Sequence, residues 1–129
     1  MIAVDTNVLV RFLVGDNPTQ AARAAALIRA NEIWVCKTVL LETEWVLRSL
    51  YGFSPENLAG ALRSLAGLPT VFLEDEVAVA RALDWYKEGL DFADALHLAS
   101  AGSAKEFATF DRKLARQARR TTALETISL

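Results

Sequence analysis

Residues 1–14, MIAVDTNVLVRFLV, carry the strongest indication of the architecture. Ile2–Val4 is a short apolar run without polar alternation, which predicts a strand covered on both faces, as in the centre of a parallel sheet. The run stops at Asp5, and a nearly continuous apolar pattern resumes at Val8. Because ligands of α/β sheets gather at the carboxyl ends of strands, Asp5 is predicted to lie at an active centre. The alternative is that Asp5 only caps the following helix.

The composition is typical of a globular chain that buries a hydrophobic core. Of the 129 residues, 53% are hydrophobic and 23% are charged, so we expect one domain spanning residues 1–129. A net charge of −2 excludes a polycation that attracts nucleic acid over its whole surface, so such a contact needs a local patch. Cys36 is the only cysteine, which excludes an intrachain disulfide. Without a basic leader or an apolar run of about 18 residues, the chain is expected to be cytoplasmic and not bound to a membrane.

Strands and helices are predicted to alternate along the rest of the chain. The further predicted strands are Glu32–Cys36, Thr70–Leu73, Phe107–Phe110 and an edge strand, Leu124–Ser128. The predicted helices are Pro18–Ala30, a helix from a Thr38 cap to Tyr51, Ser54–Ala66, Asp75–Lys87, Asp91–Ala101 and Arg112–Ala118. This alternation predicts an α/β fold, with a mostly parallel central sheet and helices on both faces.

One predicted helix offers two acidic residues for a site. Glu42 and Glu44 are two positions apart, so they point to nearly opposite sides of the helix. Glu44 precedes Arg48 by four residues, which predicts a surface ion pair. Glu42 has Trp45 and Val46 among its helical neighbours, which predicts a carboxylate held against an apolar face. Such a carboxylate needs a cation or hydrogen bonds to offset its desolvation, unless it reaches the rim and stays hydrated.

Two aspartates begin another predicted helix. Asp91 and Asp94 are three positions apart and share one face, but capping by Asp91 with Asp94 in the first turn would also explain both. His97 lies one turn further on that face. Because no cysteine nearby completes a soft-metal set, His97 is not predicted as a metal ligand.

Acids from four segments are predicted to meet at one end of the sheet. Like charges held this close repel each other and raise one another's pKa, so such a cluster persists when a divalent cation neutralises it. All-oxygen ligands favour Mg²⁺ or Mn²⁺, bound as one ion or two. Such an ion activates water to hydrolyse a phosphodiester without a protein nucleophile. The predicted ligands and catalytic acids are Asp5, Glu42, Asp94 and Asp111.

A basic cluster follows Asp111. Five of the 14 basic residues lie between positions 112 and 120, and Arg112, Lys113 and Arg116 are the predicted contacts to a phosphate backbone. The alternative is a solvated helix whose cations favour its C-terminal end.

Four segments, VDTNVLVRFL, TVLLETEWVL, DFADALHLA and ATFDRKL, resemble the PIN domain family in their order and spacing. Over its whole length the chain is similar to the VapC-type toxin ribonucleases. The resemblance implies a metal-dependent endoribonuclease with the four acids already named. It also implies an accessory acidic position at Asp91 and supporting polar residues at Asn7 and Thr109. The same resemblance implies a sheet of about five parallel strands, a homodimer, an RNA substrate and a small antitoxin partner.

Two other interpretations remain open from the residues. A haloacid-dehalogenase-like phosphatase also begins with a strand ending in Asp, but it needs a second Asp where this chain has Asn7. A catalytically silent regulatory or interaction domain of the same fold would use its acids as helix caps.

Overall fold

The computed structural model describes all 129 residues, Met1–Leu129, and contains five strands and seven helices. In chain order these are β1 (Ile2–Ala3), α1 (Thr6–Val14), α2 (Pro18–Ala30), β2 (Ile33–Val35), α3 (Lys37–Ser49), α4 (Pro55–Ala66), β3 (Val71–Leu73), α5 (Glu76–Lys87), α6 (Phe92–Ala99), β4 (Glu106–Thr109), α7 (Arg112–Thr121) and β5 (Glu125–Ser128). The chain divides into an N-terminal unit, Met1–Glu76, and a C-terminal unit, Val77–Leu129. No helix combines the length and the apolar character that crossing a membrane requires.

The N-terminal unit contains a parallel sheet with strand order β1-β2-β3. Ile33 in the middle strand pairs with Ile2 on one side and with Val71 on the other. Ile33 and Val35 are both fully buried, as expected for the central strand of a covered sheet. Because each parallel step requires a crossover, helices separate the strands along the chain.

The first strand is less buried than its apolar sequence predicts. Ile2 and Ala3 are both exposed, and only Val4, which follows the strand, is buried. The prediction of a strand covered on both faces is therefore wrong for β1. β1 lies at the edge of this sheet, and the buried apolar strand is the central one, β2.

Local capping signals set most helix starts. Asn17 accepts a hydrogen bond from the Gln20 amide at 3.1 Å, and Pro18 occupies the first helical position of α2. Ser54 and Pro55 begin α4 in the same way. These sequence signals act within one turn of the chain, which explains why both starts were predictable.

The start of α3 differs from its prediction. Thr38 does not cap this helix, which begins at Lys37 after Cys36, two residues earlier than a Thr38 cap predicts, and Cys36 makes no capping hydrogen bond with its side chain. Instead the Lys37 amide donates to Oε1 of Glu74 at 2.8 Å. A carboxylate 37 positions away thus satisfies this helix end, and a local sequence pattern cannot indicate such a partner.

The C-terminal unit pairs β4 with β5 in parallel, in a register that joins Glu106 to Glu125. Helix α7 makes the crossover between them and continues to Thr121, beyond the predicted end at Ala118. The apolar contacts of this unit include an edge-to-face ring pair between Tyr86 of α5 and Phe92 of α6, with ring centroids 5.2 Å apart. The α/β class and the parallel strand pairing agree with the prediction. The five strands form one sheet of three strands and one of two, where a single sheet of about five strands was predicted.

Candidate active site

Asp5 occupies the junction between β1 and α1. It is the N-cap of α1, and its Oδ1 accepts a hydrogen bond from the Val8 amide at 3.2 Å. The predicted capping alternative is therefore part of what Asp5 does. A carboxylate has about four lone-pair sites, so an exposed Asp5 can cap the helix and still accept a cation or further hydrogen bonds.

Glu42 is oriented by a hydroxyl from α1. The Thr6 hydroxyl donates a short hydrogen bond to Oε1 of Glu42. Thr6 is itself buried and directly follows Asp5 in the chain. The two predicted acids of the N-terminal unit are therefore connected through one threonine, which sequence reasoning did not single out. Its only signal in the sequence is its place between Asp5 and Asn7.

The two glutamates of α3 have exchanged their predicted environments. Glu42 is exposed, whereas the Glu44 side chain is only 2% exposed and pairs with the Arg48 guanidinium, Nε to Oε2, at 2.8 Å. The predictions of Glu42 against an apolar face and of Glu44 at the surface are therefore wrong.

The buried face of α3 explains this exchange. The buried positions of the helix are Leu40, Thr43, Glu44 and Leu47. Glu44 lies four residues after Leu40 and three before Leu47, so it shares their face. Trp45, which suggested an apolar surrounding for Glu42, is 52% exposed. Exposure leaves the Glu42 carboxylate available to a ligand, whereas the Glu44 carboxylate is already neutralised by Arg48.

The C-terminal unit contributes three aspartates at helix starts. Asp91 is the N-cap of α6 and accepts a hydrogen bond from the Asp94 amide at 3.2 Å. Asp111 is the N-cap of α7 and accepts one from the Leu114 amide at 3.0 Å. Asp94 lies in the first turn of α6 and is half-buried. Capping thus explains Asp91 and Asp111, and an acid at Asp94 complements the helix dipole in the first turn of α6, as the alternative predicted.

The electrostatics of Asp94 distinguish it from its neighbours. Burial is the main cause that raises the pKa of Asp94 above its ordinary value, and the charges of Asp91 and Asp111 raise it further. His97 acts in the opposite direction and lowers this pKa. Ionisation of the Asp94 carboxylate is therefore opposed by burial and by the charges of two other carboxylates. A bound cation would relieve that repulsion, which is the property expected of a metal ligand.

Two predicted supporting residues differ in their contacts. Oγ1 of Thr109 accepts a hydrogen bond from the Asp111 amide at 3.0 Å, so Thr109 helps to fix the residue that caps α7. Asn7 is exposed in the first turn of α1 and lines a pocket of about 560 Å³ between α1 and α2.

The predicted basic contacts lie on the exposed side of α7. Arg112, Lys113 and Arg116 are all exposed. Arg119 and Arg120 occupy the last turn, where cations complement the helix dipole. Arg112 and Lys113 occupy the first turn, where the same dipole disfavours cations. Helix stability therefore does not explain the two basic residues nearest to Asp111.

The donor set within each unit fits a hard cation. All the predicted ligands are carboxylates, the ligand class that Mg²⁺ and Mn²⁺ prefer. No group of three or more His, Cys, Asp or Glu side chains is arranged to hold a metal ion by itself. Mg²⁺ is commonly bound by one or two carboxylates and keeps several waters, so it does not require a cluster of three protein ligands.

Comparisons with known proteins identify one family. A sequence model described as the PIN domain matches residues 2–120, which covers most of both units. No curated protein and no solved structure shows significant similarity to the chain. The family match agrees with the resemblance of the four sequence segments and with the parallel α/β fold.

Proposed function

Because this chain belongs to the PIN domain family, a nuclease-type fold, we propose that it is a metal-dependent endoribonuclease. Asp5, Glu42, Asp94 and Asp111 are the proposed catalytic acids and metal ligands, with Mg²⁺ as the cofactor and Mn²⁺ as its substitute. The observation that carries this proposal is the PIN domain match over residues 2–120, and the burial and neighbouring carboxylates that raise the pKa of Asp94 support it. A bound cation would stabilise the ionised form of a carboxylate in these surroundings.

The residues of the chain have separate tasks in this proposal. When bound, the metal activates water and offsets the charge that develops on the phosphate. The Thr6 hydroxyl holds the Glu42 carboxylate in one orientation. Asp5 and Asp111 are held by their capping hydrogen bonds and retain lone pairs for further contacts. Arg112, Lys113 and Arg116 hold the phosphate backbone of the RNA. No side chain serves as the nucleophile, and no histidine base is required.

A matched set of variants tests the proposal. Purified wild-type protein is incubated with total RNA in Mg²⁺ or in EDTA, and the 5′ ends of the products are mapped. Asp5→Asn keeps a good helix cap, so it changes the charge of the site while preserving the start of α1. Glu56→Gln is the control, because Glu56 is an exposed acid in the first turn of α4.

We expect defined cleavage by the wild type and by Glu56→Gln in Mg²⁺, and none in EDTA or by Asp5→Asn. Cleavage at the same sites by folded Asp5→Asn would remove Asp5 from the mechanism. Cleavage that persists in EDTA would contradict metal dependence.

We further propose that the protein is the cytoplasmic toxin of a type II toxin–antitoxin pair, a homodimer inhibited by a small antitoxin. The resemblance to VapC-type ribonucleases supports this role. Induced expression should arrest growth with the wild type and not with Asp5→Asn, and light scattering should give twice the chain mass. Cleavage of cellular RNA without growth arrest would contradict the toxin role.

A regulatory domain without catalysis is the second candidate. Three of the acids discussed, Asp5, Asp91 and Asp111, are N-caps, which is the arrangement this alternative requires. Calorimetric titration with Mn²⁺ separates the two. Binding that is lost in Asp94→Asn supports the nuclease, and the absence of binding supports the regulatory domain.

A further inference from the structure

The pocket between α1 and α2 combines apolar and polar side chains in one concave surface of the N-terminal unit. Val8, Ala24 and Leu27 supply apolar surface. The polar side chains that line it are Asn7, Arg11, Gln20 and Arg23. A volume of about 560 Å³ is typical of sites for small molecules or for one group of a larger ligand.

One of the two pocket cations is held in place by neighbours. The Arg11 guanidinium lies 3.2 Å from Oδ1 of Asp16, and the Tyr51 hydroxyl donates to Oδ2 of the same carboxylate at 3.1 Å. Arg11 is half-buried, so its position is restricted before any ligand binds. An arginine oriented in this way is suited to a planar or phosphate ligand, because little freedom is lost on binding.

The other pocket cation has no ion pair. Arg23 is exposed on α2, and none of the ion pairs of the chain includes it. The pocket therefore presents one guanidinium partly neutralised by Asp16 and one that is not. This favours an anionic ligand over a neutral one.

We infer that this pocket holds one nucleotide of the RNA substrate and contributes to the choice of cleavage sequence. The inference rests on the proposed ribonuclease function. Arg23 and Arg11 contact the phosphates, the apolar surface covers a base face, and the side-chain amide of Gln20 contacts the base edge. Amides both donate and accept hydrogen bonds, as base edges do, and guanidinium groups fit phosphate oxygens in pairs.

The position of the pocket on α1 supports this occupant. Asn7 is two residues from Asp5, and the Val8 amide donates to the Asp5 carboxylate. A nucleotide in the pocket would therefore lie beside the first turn of α1, close to a proposed catalytic acid. An acidic peptide would also satisfy the arginines, and the variants below separate that occupant from RNA.

A binding measurement with matched variants tests the inference. The probe is a fluorescein-labelled single-stranded RNA of about ten nucleotides and mixed sequence, titrated in EDTA so that it is not cleaved. Arg23→Ala removes the pocket cation. Arg29→Ala removes an exposed cation of the same helix that does not line the pocket. We expect about tenfold weaker binding and a smaller salt dependence for Arg23→Ala, and less than about a twofold change for Arg29→Ala.

A second pair of variants tests the pocket without changing charge. Ala26→Trp fills the pocket from an exposed position, and Ala22→Trp places the same side chain on an exposed position of α2 outside it. Only Ala26→Trp should weaken RNA binding by about tenfold. Gln20→Ala should relax the nucleotide preference at one position in the mapped cleavage sites.

The outcomes separate this inference from the proposed function. Cleavage by the wild type with unchanged binding by Arg23→Ala and Ala26→Trp would overturn the inference alone, leaving the pocket to a peptide ligand. RNA binding that depends on Arg23 in a protein that cleaves nothing would support the pocket and contradict the ribonuclease. No RNA binding by the wild type would overturn the inference.

Discussion

The acids of the N-terminal unit and those of the C-terminal unit are maintained by different forces. Glu42 is held by a hydroxyl hydrogen bond and Asp5 by a backbone amide, and both side chains lie at exposed positions. Asp94 is half-buried, and burial together with the charges of Asp91 and Asp111 raises its pKa. The first arrangement orients carboxylates, whereas the second places a carboxylate where its charge is unfavourable. We therefore expect the catalytic role of Glu42 to depend on its orientation and that of Asp94 to depend on its charge.

The largest expected effect is that of Asp94→Asn on RNA cleavage. We expect a loss of about 100- to 1,000-fold in kcat, the range for removing one electrostatic group from an active centre. The free energy of unfolding should not fall, because the variant removes a repelled charge. Cleavage assays and urea unfolding measure the two quantities.

Glu88→Gln is the control for that comparison, since Glu88 is an exposed acid of the same unit that has no place in the proposed site. Full cleavage by folded Asp94→Asn would show that catalysis does not require the negative charge of Asp94.

Metal binding is the next largest effect. Mn²⁺ at about 100 times its dissociation constant should stabilise the wild type by about 2.7 kcal/mol, because the folded state alone presents the ligands. Thermal unfolding with and without Mn²⁺ measures the stabilisation. It should be largely lost in Asp94→Asn and retained in Glu56→Gln. Equal stabilisation of wild type and Asp94→Asn would place the ion elsewhere.

Thr6→Val tests the orienting hydrogen bond in the N-terminal unit. It removes the donor to Glu42 while keeping the side-chain shape, so we expect kcat to fall about tenfold, as for residues that orient metal ligands, with little change in KM. Thr6→Ser restores the donor and should recover most of the activity. If Thr6→Ser were as impaired as Thr6→Val, the methyl group would matter and the hydroxyl would not.

The smallest effect is the pH dependence of stability. The raised pKa of Asp94 means that the folded chain binds this proton more tightly than the unfolded chain, whose value is near 3.8. The stabilisation from protonated Asp94 is therefore present at low pH and is lost as the pH rises from 3.8 through the raised value.

We expect the free energy of unfolding of the wild type to fall relative to that of Asp94→Asn across this window. The difference should be less than about 1 kcal/mol, because solvent screens a half-buried group. Urea titrations at several pH values measure it. A relative rise would mean that the folded chain stabilises the ionised form of Asp94.

Local sequence signals were sufficient for most of the fold. The Asn17-Pro18 and Ser54-Pro55 pairs begin helices by hydrogen bonds within a single turn, so their outcome depends on no distant residue. The alternation of these helices with apolar segments then indicated parallel strands. Asp5, Asp94 and Asp111 were proposed from their place at strand ends and helix starts, Glu42 from its helical neighbours, and all four match the resemblance to the PIN domain.

Only the tertiary structure decided the environment of individual acids. Sequence spacing puts Glu42 and Glu44 on opposite sides of α3, and tertiary packing buries the side that carries Leu40 and Leu47. Helix periodicity gives relative directions and does not say which direction meets the core when both sides carry apolar residues. The same holds for the hydrogen bonds of Thr6 with Glu42 and of Lys37 with Glu74, because each joins residues far apart in the chain.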